Sequence, residues 1–307
     1  MYRFLARRLV LAILTMLIVS IVVFGITRLQ GDPRNLLYAD LVVTKNDVAW
    51  EAFGRELGLD KPIIVQYVVF IGRLLKGDLG KSIWRNKSVT SVIWERLPAT
   101  ALLAVGGILF SLFAIPLGVI SAVKRGSVWD ILGRTIAVLG QSMPSFWVGI
   151  MLIFLFAVQL EWLPTSRRGD FSHYILPSVT LGLFPLAGML RLIRSAMLDV
   201  IDSEFIKLAR AKGVSGTTVV WKHGFRNALI APLTFAGLLI AGLLTGSIIT
   251  ETVFAWPGLG MLAIGAVQNS DYPVTQGVVL VFTLFYVGSA LLVDVIYAYI
   301  DPRIRLS

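Results

Sequence analysis

Leu9-Val-Leu-Ala-Ile-Leu-Thr-Met-Leu-Ile-Val-Ser-Ile-Val-Val-Phe-Gly-Ile-Thr27 runs without one charged side chain. About 20 such residues, rising about 1.5 Å each, cross the ~30 Å hydrocarbon core of a bilayer as a helix. The run follows Met1-Tyr-Arg-Phe-Leu-Ala-Arg-Arg8, which could also open a secretory leader. Its core is longer than the ~7–15 residues of a leader, however, and Arg28 and Gly31-Asp-Pro33 follow it instead of a small-residue cleavage site. The run is read as a retained first helix. Composition extends that reading to the whole chain. Of 307 residues 56% are apolar and 15% charged, with a mean hydropathy of +0.80. A soluble domain carries about 25% charged residues to cover its surface. The fold class expected is an all-α membrane protein.

Five more apolar stretches follow, at Ala99–Val123, Ile131–Leu160, Ile175–Met197, Leu229–Thr250 and Val274–Ile300. Six transmembrane helices place both termini on one side. Arg3, Arg7 and Arg8, then Lys124 and Arg125, then Lys207, Arg210, Lys212, Lys222 and Arg226, and finally Arg303 and Arg305 all fall on that side. The positive-inside rule makes it the cytoplasm. The net charge of +10 is therefore read as topology and lipid contact, not as nucleic-acid binding. Three regions result: 1–29 with the N-terminal tail and first helix, an extracytoplasmic segment 30–97, and a five-helix core 98–307 containing a cytoplasmic loop, 198–228. The segment 30–97 mixes both charge signs, and segments that long translocate largely regardless of charge. Apolar steps of three and four suggest short helices at Asp47–Leu57 and Pro62–Leu75, with Gly77-Asp-Leu-Gly80 a turn. A lid on the outer mouth and a docking surface for a soluble partner both fit this segment.

Enzymatic chemistry is hard to find. With no cysteine there is no disulfide or thiolate site, and His173 and His223 are far apart in sequence, so no metal site is expected. Gly80-Lys-Ser82 imitates the end of a phosphate-binding loop, but Leu75 stands where the first glycine belongs. Prolines 116, 144, 177, 185 and 232 fall in or near spans, and Gln141-Ser-Met-Pro-Ser145 is the most polar break. Pro144 and Pro185 are candidate helix-break or gating positions. Gly242 and Gly246 join them through a GxxxG spacing, which close helix packing explains as readily. Asp294, inside the last span, is read as one half of an ion pair with an arginine such as Arg134 or Arg191, and Glu251 as a hydrated residue at the outer end of the fifth span.

The loop Asp202-Ser-Glu-Phe-Ile-Lys-Leu-Ala-Arg-Ala-Lys-Gly213 has the signals of a short helix. Asp202 or Ser203 can cap its start, Glu204 suits the macrodipole, and Gly213 suits a left-handed end. Phe205, Leu208 and Ala209 share a face, while Lys207, Arg210 and Lys212 point elsewhere. An interfacial helix on lipid and a knob for a groove on a cytoplasmic protein are both open readings.

Glu204-Phe-Ile-Lys-Leu-Ala-Arg-Ala-Lys-Gly213 resembles the EAA loop of the membrane subunits of binding-protein-dependent ABC importers, in the dipeptide/oligopeptide/nickel branch. Lys222-His-Gly-Phe-Arg-Asn-Ala-Leu229 matches that branch's continuation. Further matches are Gly58-Leu-Asp-Lys-Pro62, Arg96-Leu-Pro-Ala-Thr100, Ser142-Met-Pro-Ser-Phe146, Pro257-Gly-Leu-Gly260, Asp271-Tyr-Pro273 and Asp301-Pro-Arg303. The N-terminal Arg7-Arg8 and the long segment after the first helix resemble the B-type permease of the pair. The resemblance implies a type I ABC importer permease fold and a non-catalytic pore subunit of the bacterial inner membrane. It also implies a second permease subunit, two ATPase subunits that bind ATP and Mg, and an extracytoplasmic peptide-binding protein. No cofactor is implied on this chain. Glu204, Phe205, Leu208, Ala209, Arg210, Ala211, Lys212 and Gly213 would then form the coupling helix that seats in an ATPase cleft. Phe205 departs from the tyrosine usual there. The cargo implied is a dipeptide or oligopeptide, with nickel, glutathione or another small solute as the alternative. A gradient-driven secondary transporter is the alternative outside the family.

Overall fold

The computed structural model describes residues 2–29, 54–55 and 60–300, and every regular element among them is a helix. Lys81 and Ser88 add one isolated antiparallel bridge. In chain order the helices are α1 (Tyr2–Leu29), α2 (Ile63–Leu75), α3 (Val89–Ser111), α4 (Ala114–Val123), α5 (Val128–Ser142), α6 (Ser145–Leu152), α7 (Ser172–Ile201), α8 (Glu204–Ala211), α9 (Ile230–Val253), α10 (Leu259–Gln268) and α11 (Tyr272–Ile300). A π-helical turn, Ile153–Gln159, continues α6. Between α8 and α9 lie Gly216–Thr218, a second π-helical stretch Val219–Phe225, and Arg226–Ala228. The expected helix at Asp47–Leu57 and the motif at Asp301–Arg303 lie outside the described residues, apart from 54–55.

Four described helices are long and apolar enough to cross a membrane: Ala6–Leu29, Val89–Val123, Ser172–Ile201 and Tyr272–Val295. A fifth is formed if the bent pair Val128–Ser142 and Ser145–Gln159 is one span. α9 follows the range expected for the remaining span. The single helix expected at Ile131–Leu160 is corrected: it is two helices set at 112°. Pro144 is the reason. Proline lacks the amide that would continue α5 and drives the residue before it out of the helical region. Met143 is accordingly extended, at φ −84° and ψ 131°. Pro116 acts more gently. Its ring disfavours the carbonyl of Leu112, and the chain tightens between α3 and α4 through Ile115 N–H donating to Leu112 O.

The chain divides into two compact units, Met1–Pro98 with Gly258–Val287, and Ala99–Pro257 with Gly288–Ser307. In the first, Asp271 is the tie. Its buried carboxylate accepts the Ser82 hydroxyl at 2.5 Å and the Ile83 N–H at 3.1 Å, while Trp84 Nε1 donates to Asn269 O. The loop resembling a phosphate site is thus a structural turn, with Gly77 and Gly80 at positive φ.

In the second unit α7 is the central helix, packed against α4, α5, α6 and α9. Its Leu186, Leu190, Ile193 and Met197 meet Ala114, Val119, Ala122, Ala137 and Ala228 in one apolar cluster. Between helices in lipid, burying an apolar side chain gains little over leaving it among acyl chains, so close contact has to supply the attraction. Small residues allow it: an added Cβ on Gly118 would stand 2.9 Å from Ile193 Cβ.

Candidate functional site

α8 follows α7 after only Asp202 and Ser203. Ser203 is extended at φ −72° and ψ 153°, and its carbonyl accepts the N–H groups of Ile206 and Lys207. The expected side-chain cap is not made. The Ser203 hydroxyl instead donates to Val200 O, because the last turn of α7, only two residues upstream, presents carbonyls that need a donor. The far end is as expected. Gly213 has φ +75°, the Val214 N–H donates to Ala209 O, and the Gly213 N–H donates to Arg210 O. This six-to-one and five-to-two pair is a Schellman motif, whose left-handed residue glycine adopts without strain. Glu204 in the first turn lies 2.8 Å from Lys207 Nζ.

One residue fastens the helix, and the sequence reading passed over it. Ile206 is fully buried, and α8 packs on the π-helical stretch Val219–Phe225. Val220 and Phe225 in turn rest on the α7 cluster around Ile193 and Met197. The expected apolar face points away from the chain: Phe205 is 45% and Leu208 56% exposed. Glu204, Arg210, Ala211, Lys212 and Gly213 are exposed too, and Ala209 is half-buried. Of the residues three or four steps from Ile206, which are Asp202, Ser203, Ala209 and Arg210, only Ala209 is apolar, so no stripe marked the anchor. An eight-residue helix does not by itself say which apolar stripe is inward.

A second fastening was missed entirely. Asp130, 2% exposed, receives Arg194 Nε at 2.7 Å and Arg194 Nη2 at 3.2 Å, with the Ser121 hydroxyl at 2.9 Å and the Gly126 N–H at 3.0 Å. The end of α4, the start of α5 and the last third of α7 are thereby tied at one carboxylate. Ser127-Val-Trp-Asp130 fits the S-x-x-D pattern of a helix start, which was the available signal. Arg134, suggested as a partner for Asp294, lies 3.6 Å from this carboxylate. Glu251 also needs correcting. It is fully buried, not hydrated, and accepts the Thr100 hydroxyl at 2.7 Å and the Ser247 hydroxyl at 3.1 Å. Neighbouring Trp256 is equally buried and donates to Ala99 O.

The α5–α6 break opens a cavity of about 470 Å³. It brings Pro144, Pro185 and Gly242 together, three of the four positions singled out as breaks or gates. A Cβ on Gly242 would meet nothing within 4 Å, so close packing within the chain does not account for that glycine. Gly246 lies in α9, outside the described side chains. The cavity wall is apolar with Gln141, Ser142, Ser145, Thr180 and Thr250 as polar members, and none of the described residues that line it is charged. The Thr250 hydroxyl is buried there without a hydrogen-bond partner.

The chain as a whole is similar to known proteins. The profile of the binding-protein-dependent transport system inner membrane component matches residues 114–306, and that of the N-terminal region of such membrane components matches residues 1–104. The glutathione transport system permease protein GsiC of Pectobacterium atrosepticum is 43% identical over 310 residues, covering 99% of each chain. The di/tripeptide transport system permease protein DppB of Pseudomonas aeruginosa is 40% identical over 336 residues, again covering 99% of each. Among solved structures, a chain of the MetNI methionine ABC transporter in an inward-facing conformation aligns with a TM-score of 0.52 at 17% identity, over 66% of this chain and 95% of that one. A chain of an amino acid ABC transporter with histidines gives 0.51 at 14% identity, over 67% and 93%. These two likenesses are of fold.

Proposed function

Because this chain belongs to the family of binding-protein-dependent transport system inner membrane components, we propose that it forms half of the translocation pathway of an ATP-driven importer of short peptides. Its α8 is the coupling helix. The observation that carries this reading is the build of α8: anchored inward by Ile206, closed by Gly213, and presenting Phe205 and Leu208 outward. A surface-exposed pair of large apolar side chains on a rigidly mounted helix is a knob awaiting a groove. The partners are a second permease subunit, two ATPase subunits that hold ATP and Mg, and an extracytoplasmic binding protein that delivers cargo. Hydrolysis takes place on the ATPases and is passed through α8 to α7. Both termini are cytoplasmic, and the binding protein docks at the outer mouth.

Peptide cargo is supported by the di/tripeptide permease relative. Glutathione is the second reading, favoured by the GsiC relatives, and is itself a tripeptide. The uncharged wall of the 470 Å³ cavity suits either, since it selects no side-chain charge. Replacing Phe205 and Leu208 together by Asp tests the coupling role. Co-purification of the ATPase subunits should be lost while the partner permease stays bound. Undiminished ATPase recovery contradicts the assignment.

A further inference from the structure

α1 ends at Arg28 and Leu29, where a membrane helix reaches the headgroups. Beside its last third lies α2, which at 13 residues is too short to span. Side chains of α1 hold it there. The Tyr67 and Ser20 hydroxyls are 2.8 Å apart, and the Tyr67 and Phe70 rings lie 5.4 and 5.5 Å from that of Phe24. Yet no residue of α2 is buried, and Ile63, Ile64, Val68 and Leu75 are each more than half exposed. A fixed amphipathic helix with so bare an apolar face belongs in the acyl–headgroup boundary.

Between α1, α2, the turn at Asp78–Ile83 and the start of α11 is a cavity of about 410 Å³. Among the described residues that line it, Arg28, Arg73 and Lys81 are cationic and Asp78 is the one carboxylate, whose Oδ1 already accepts the Gly80 N–H at 2.9 Å. Arg28 also has a partner of its own, so the excess rests on Arg73 and Lys81. Among the described residues neither Arg73 nor Lys81 is in an ion pair. Collecting like charges in a small cavity costs energy unless an anion offsets them. Phe24 and Phe70 give the same cavity apolar walls.

We propose that this cavity binds the phosphate headgroup of an anionic phospholipid through Arg28, Arg73 and Lys81, with an acyl chain along the exposed face of α2. The site is separate from α8 and from the cavity at Pro144. The test uses the assembled transporter in detergent, titrated with phosphatidylglycerol, phosphatidylcholine or inorganic phosphate and read by native mass spectrometry. Phosphatidylglycerol should be retained in preference to phosphatidylcholine and should resist millimolar phosphate. Arg73→Gln with Lys81→Gln should weaken that retention by about five-fold per charge removed. The charge-keeping pair Arg73→Lys with Lys81→Arg should preserve it, as should Lys76→Gln, whose side chain is not in the cavity wall. Equal retention of both lipids overturns the proposal, as does an unchanged affinity in the double Gln variant. Displacement by inorganic phosphate overturns the lipid as the source of the anion, and an equal loss in Lys76→Gln makes the attraction a property of the surface rather than of this site.

Discussion

Asp130 shows how much can depend on one side chain. Its carboxylate is shut from solvent and accepts four hydrogen bonds from two other helices and a turn, so removing one partner strands a charge instead of deleting a contact. Arg194→Ala should therefore destabilise the chain by about 3 kcal/mol. Asp130→Asn combined with Arg194→Gln should recover much of that loss, as read by denaturant unfolding in detergent. The threonines give a contrasting pair. Thr250 has a buried hydroxyl with no partner, so Thr250→Val should be neutral or slightly stabilising. Thr100→Val removes a donor to the buried Glu251 and should cost about 1–3 kcal/mol in the same assay. Outside the spans, the Ser172 hydroxyl, followed by His173, holds the Asp170 carboxyl at about 2, below its ordinary range. A lowered folded value makes this contribution complete above about pH 4 and lost as pH falls through about 2. Amide exchange at the start of α7 should accordingly show no titration from this group between pH 8 and 5.

At the scale of elements, α8 works as a mounted part. Gly213→Ala puts a Cβ into a left-handed position at about 1–2 kcal/mol. It should raise hydrogen exchange at the Gly213 and Val214 amides and lower ATPase recovery, without impairing membrane insertion. Glu204→Lys should leave insertion intact and weaken ATPase binding by reversing the charge at the helix start. The positions of the helices were legible because an apolar run of about 20 residues has few alternatives. Gly213 was legible because its terminator role follows from local backbone geometry. The inward anchor Ile206 was not, since the segment that buries it, Val219–Phe225, is brought there by tertiary packing. The 112° bend was half legible: Pro144 marked a break, but its angle depends on how α6 packs on α7. Glu251 was misread for a related reason. Its place near a helix end suggested water, while the hydroxyl that meets its carboxylate belongs to Thr100 of α3, 151 residues away in sequence.

For the whole molecule, the proposed function has cargo and energy enter at different places. It assigns the solute to the cavity at the α5–α6 break and the ATPase to α8. Gln141→Glu places a fixed charge in the wall of that cavity. Two like charges about 8 Å apart repel by about 2 kcal/mol at an effective dielectric near 20, so uptake of acidic dipeptides should fall about ten-fold or more relative to neutral ones. Equal loss for both classes would separate the cavity from the path. The central claim, that energy reaches this pore through α8, is tested most directly by initial rates of dipeptide uptake into proteoliposomes. These would contain this chain, its partner permease, the ATPases and external binding protein. Wild type should take up dipeptide only with internal ATP and both ATPase subunits, and Phe205→Asp with Leu208→Asp should abolish uptake. Uptake that persists without the ATPases, or that follows an imposed ion gradient instead of ATP, would contradict the account.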